Sequence, residues 1–101
     1  MKLLTKEIIA RLEKSPLYSQ EKNSDPEIIV KFFCPWGNWT WFATEGSKQD
    51  DGDWIFFGMV HGFEKELGYF TLSELQSVKH FCGLKIERDM YFEGQHLSDV
   101  K

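Results

Sequence analysis

The run His61-Gly62-Phe63-Glu64-Lys65-Glu66 sets an imidazole three residues from one carboxylate and five from another. On one face of a helix such a set can hold a divalent metal. Gly62 and Gly68 argue against a helix here, and in a strand-to-turn setting His61 and Glu64 need not point together. The remaining soft ligands, Cys34, His80, Cys82 and His96, form no Cys-x-x-Cys and no His pair four apart. No metal and no cofactor is expected. Asp50-Asp51-Gly52-Asp53 has the composition of a calcium loop without its ligand order or closing Glu, so it reads as a tight turn. Neither cysteine has a sequence-adjacent His or resolving Cys, and there is no Gly-x-Ser-x-Gly elbow or phosphate loop.

What remains is a set of acids, Glu45, Glu64 and Glu66, which could work with Arg88 as a small catalytic or ligand pocket if the fold gathered them. Arg88 interrupts the apolar alternation of Leu84, Ile86, Met90 and Phe92. Two readings of it stand side by side: an edge charge that deters strand pairing, or an internal guanidinium paired with Glu45 or Glu64. Trp36, between Pro35 and Gly37 in a turn, is the aromatic candidate for contact with a partner. Trp39, Trp41 and Trp54 sit at strand spacing and are expected in the core.

These residues need elements to place them. Thr5 is positioned to cap a first helix, with Ile8, Ile9 and Leu12 as its apolar stripe and Ser15-Pro16 as its stop. A polar connector follows at 19–26. Residues 28–71 change to strand character: Ile28–Phe33, Trp39–Thr44 and Trp54–His61, with Gly58 marking a bulge or a close backbone approach. Short links between them predict an antiparallel meander. Thr71 and Glu74 stand at capping-box spacing for a second helix near 72–80, which Gly83 would stop. Residues 84–92 read as a final strand and 94–101 as a frayed tail. The fold class is therefore α+β, one domain over residues 1–101 with a core at 3–93, its sheet of three to five strands packed with both helices.

Length and charge narrow the function classes. A chain of 101 residues with 42% hydrophobic and 16% aromatic residues can build its own core. Its net charge of -4 disfavours direct nucleic-acid binding. The absence of a long apolar run and an early polar N-terminus disfavour a membrane anchor or signal peptide. Two cysteines suit a cytoplasmic setting. Residues 45–74 carry seven acids against two lysines, a net -5, whereas the first 22 residues carry +2. Such acid either solvates the surface or offers a face, through Asp50, Asp51, Asp53, Glu64 and Glu66, to a basic or nucleic-acid-binding protein partner.

Thr44-Glu45, Phe57-Gly58, Glu66-Leu67-Gly68-Tyr69-Phe70 and Ile86-Glu87-Arg88-Asp89 are the specific parts of a resemblance covering roughly residues 3–93. On these the chain resembles the bacterial family known as domain of unknown function 2958. Many members carry a longer, Gly-rich connector before the Glu-Leu-Gly-Tyr segment, which is compact here. The resemblance implies no catalytic residues. It implies a setting, the accessory genes of plasmids and other mobile elements, often beside antirestriction-type genes. The expectation is a non-enzymatic interaction or anti-defence factor presenting its acidic surface. A small enzyme or ligand-binding domain using the carboxylate–Arg set is the alternative, followed by a weak nucleic-acid binder using Trp36 and the first helix.

Overall fold

The Thr5 hydroxyl accepts from the Ile8 amide at 3.2 Å and starts helix α1 (Lys6–Glu13), satisfying one of the donors a first turn leaves open. Leu12 is carried into the core. Arg11 pairs with Glu27 at 2.8 Å and donates to the Ile29 carbonyl, clipping the helix to the chain ahead of the first strand. The structure, a computed structural model, describes residues 2–101. After α1 come β1 (Val30–Phe33), β2 (Thr40–Lys48), β3 (Trp54–His61), β4 (Lys65–Thr71), α2 (Leu72–Ser77), β5 (Glu87–Arg88) and a single 3-10 turn at Leu97–Asp99. All pairings are antiparallel in the order β4-β3-β2-β1-β5, so the α+β meander stands as read, with five strands.

Strand alternation divides the apolar residues between two faces. On the first, Val30, Phe32, Ala43, Phe56 and Phe70 pack beneath Leu12 of α1 and Leu75 of α2. On the second, Phe42 and Met59 meet Ile28 and Leu97, with Phe92 and Val100 against them. The helices thus cover one face, and the C-terminal segment covers part of the other.

Gly58 lets β2 and β3 close. A Cβ built there would lie 1.7 Å from the Phe42 carbonyl oxygen, a contact no side chain can relieve by turning. Opposite it, the register slips between Ala43 and Glu45, leaving Thr44 as the extra residue of a bulge. The Thr44 hydroxyl donates to the Phe57 carbonyl at 3.2 Å. Past the bulge, Glu45 shares the row of Phe57 and Tyr69 on the second face.

Four expectations are corrected. Residues 94–101 do not fray: Leu97 is buried, its amide donates to the Pro26 carbonyl, and Asp25 accepts from both the amide and the hydroxyl of Ser98. With only Leu97 and Val100 as apolar residues, that segment shows no periodic signal, and hydrogen bonds to Pro26 and Asp25, distant in sequence, hold it. Helix α2 stops at Ser77 because Val78 is extended, and Gly83, at φ +86°, serves a tight turn closed to the His80 carbonyl instead. The final strand shrinks to Glu87–Arg88, since the Asp89 carboxylate accepts from the Tyr91 amide and turns the chain away. Trp54 is a core residue and Trp41 is half-buried against the core, but Trp39 lies outside at 37% exposure.

The close approach at Gly58 is testable against Gly68, where an added Cβ meets nothing within 4 Å. Gly58→Ala should destabilise the fold by about 3 kcal/mol, whereas Gly68→Ala should shift it by less than about 1 kcal/mol, both read from urea unfolding. Equal effects of the two substitutions would show that the strands do not meet this closely.

Candidate functional site

At the β3–β4 turn, large rings and free carboxylates share one end of the first face. Trp41, Val60 and Glu66 form one cross-strand row. Beyond it, the Gly62 amide donates to the Glu64 carbonyl across the turn. The Trp39 indole lies across Gly62, where a Cβ would come within 2.3 Å of the ring. Trp39 stacks on Trp41 at 6.0 Å between centroids, and Phe63 meets Trp39 edge-on at 5.4 Å. Phe63 is 95% exposed, a cost that its edge contact with Trp39 offsets only in part. Trp39, Val60, Gly62, Phe63, Glu64 and Glu66 line a shallow hollow of about 310 Å³. The ion pairs among the described residues are Arg11–Glu27 and Lys31–Asp89, so neither Glu64 nor Glu66 is neutralised there. Indole faces beside carboxylates attract a cation twice over, through the ring quadrupole and through charge.

The acidic stretch at 45–74 does not make one surface. β2 and β3 run in opposite directions, so the 49–53 turn and the 62–64 turn lie at opposite ends of the sheet. At the far end, Asp53 is structural. Its carboxylate accepts from the Trp54 amide at 2.8 Å, the Ser73 amide at 3.0 Å and the Ser73 hydroxyl at 2.6 Å, tying the turn to the start of α2. Asp51 accepts from the Asp53 amide. Asp50 faces solvent.

Glu45 is buried and also structural. Its two oxygens accept from the Tyr18 amide at 2.9 Å and the Gln20 amide at 2.8 Å, pinning a loop in which Tyr18 holds φ at +73°. A non-glycine residue persists there only when its surroundings hold it. Arg88, half-buried on β5, donates to the Lys2 carbonyl. The acid–base or ligand pocket of Glu45, Glu64, Glu66 and Arg88 is therefore not assembled: Glu45 lies on the second face, Arg88 at the β5 edge, and Glu64 with Glu66 at the β3–β4 turn. His61 faces the second side as well, against the Phe42 ring and 2.8 Å from the Val100 carbonyl, away from Glu64. Trp36 packs half-buried on the core, with its ring 5.1 Å from His80. Sequence reasoning missed Trp39 and Phe63 as surface residues. The signal for Phe63 was a bare aromatic between Gly62 and Glu64 in a turn.

Two carboxyls are shifted by the bonds they accept. Asp53 lies below the usual Asp value, chiefly through the Ser73 hydroxyl, and Asp25 lies below it chiefly through the Ser98 amide. A lowered folded-state pKa stabilises above the unfolded value of about 3.9 and loses that contribution as pH falls through the folded value. The urea midpoint should therefore drop as pH falls below about 4. The double variant D25N/D53N should start lower at neutral pH and show a shallower acid fall; an unchanged slope would sink this assignment. The clamp of Glu45 makes a separate claim. Glu45→Ala should cost about 3 kcal/mol and speed hydrogen exchange at the Tyr18 and Gln20 amides, whose unchanged protection would count against it.

Across residues 3–99 the sequence matches a family model described as protein of unknown function, DUF2958. Neither a curated protein nor a solved structure matches the chain. Because the matched span takes in every strand, both helices and the closing 3-10 turn, the chain belongs to the DUF2958 family.

Proposed function

We propose that the chain is a protein-binding module that receives a basic segment of its partner at the β3–β4 turn. One observation carries the reading. Trp39 and Phe63 stand exposed beside Glu64 and Glu66, whose charges are unspent, whereas Glu45, Asp51 and Asp53 are committed to holding the fold. A lysine or arginine side chain entering the hollow would gain a cation–π contact of about 0.5–2 kcal/mol and shed little hydration at so open a rim. Nucleic acid would meet two carboxylates at the same place, so its phosphates fit it poorly. In the mobile-element setting that the family resemblance implies, a basic DNA-binding protein of a host defence has the matching charge. An anti-defence accessory role would follow from occupying that protein's basic surface.

A short arginine peptide, Gly-Arg-Gly-Arg-Gly, is a direct probe. Titrated into the full chain, it should shift the Trp39 indole N–H resonance and bind more weakly as salt rises. Trp39→Ala with Phe63→Ala, or Glu64→Gln with Glu66→Gln, should each weaken binding roughly tenfold, while Asp50→Asn leaves it unchanged. Binding that ignores salt and both double variants, or no binding at all, would end this reading.

A further inference from the structure

The same end of the molecule carries an open sheet edge. β4 pairs with β3 from Lys65 to Thr71, and among the described residues no strand pairs with its outer side. The opposite edge of the sheet, β5, is blunted by being only two residues long. β4 has seven residues, contains no proline and shows no register slip, and its charges, Lys65 and Glu66, sit at one end only. Resting on the reading above, we propose that β4 receives the partner's basic segment as a sixth strand, joined by main-chain hydrogen bonds.

The side chains along β4 specify what such a strand must carry. A residue placed beside Glu66 on the first face would have its Cβ about 5 Å from that of Glu66, extending the row of Trp41 and Val60. An arginine or lysine there pairs with the carboxylate and reaches the rings of Trp39 and Phe63. Its neighbour two residues along would lie beside Gly68, where open space admits a bulky side chain. On the second face, the alternate residues would cover Leu67 and Tyr69, 49% and 54% exposed. The occupant is thus an extended segment, basic or bulky on one side and apolar on the other. A second copy of β4 would bring Glu64 and Glu66 with only Lys65 against them, adding net negative charge to this edge, so charge favours a foreign, basic strand.

The experiment uses the full chain with the peptide Thr-Val-Arg-Val-Arg-Val-Thr and with versions N-methylated on either set of alternate amides. The plain peptide should slow hydrogen exchange in residues 65–71 and bind about tenfold more tightly than the weaker methylated version, because methylation removes the donors facing β4. Glu66→Lys should weaken the plain peptide by a similar factor. Equal affinity for all three peptides, or no added protection in β4, overturns strand addition. If the arginine probe still depends on Trp39 and Phe63 in that case, the cation-binding reading survives alone. Sedimentation of the free chain as a dimer that Glu66→Lys does not disturb, with β4 amides already protected, would also overturn it by giving the edge to a second copy.

Discussion

The contact between the Gly58 backbone and the Phe42 carbonyl governs the placement of everything that follows it. Only a residue without a Cβ lets the two long strands come this close, and the neighbouring bulge at Thr44 absorbs one residue of β2. That extra residue changes the side on which the rest of β2 projects. It delivers Glu45 to the second face, where the buried carboxylate can hold the loop through Tyr18 and Gln20. It also aligns Gly46 with Phe56, so that β2 passes beneath Leu12 without a side chain in the way.

Sheet geometry also decides what the acidic composition means. Along the sequence, the carboxylates from Glu45 to Glu74 look like one patch. In an antiparallel meander, successive turns fall at alternate ends, so proximity in sequence becomes separation in space. Hydrogen bonding then sorts them further: those with backbone donors within reach build the fold, and those beside Trp39 and Phe63 do not. The same separation takes Arg88 away from every carboxylate it was paired with on paper.

Much of the architecture was legible because it depends on local rules. Thr5 and Thr71 cap helices, as their position before an apolar stripe implies, and Trp54–His61 forms its strand with the bounds its alternation suggests. The glycine at 58 pointed to a bulge or a close approach, and the chain has the close approach there with the bulge on the facing strand. Illegible features depended on distant partners. Leu97 gives no periodic pattern, yet it seats against Phe42 and Met59 from the far end of the chain. Strand spacing put Trp39 with Trp41 and Trp54 in the core, but could not say that Trp39 would be left exposed at the end of the sheet. At the site, the acids were visible in sequence, while Trp39, which lies beside two of them, was expected in the core and Phe63 carried no assignment.

The stacked indoles of Trp39 and Trp41 have a consequence for optical work. Two indole chromophores 6.0 Å apart and inclined by 29° couple their electronic transitions, whereas Trp54 lies within the core, stacked on Phe56. The circular dichroism of the chain therefore contains an indole–indole exciton contribution from this rim, which disappears when either ring is removed. The surface is its own chromophore, and its state can be followed without attaching a dye.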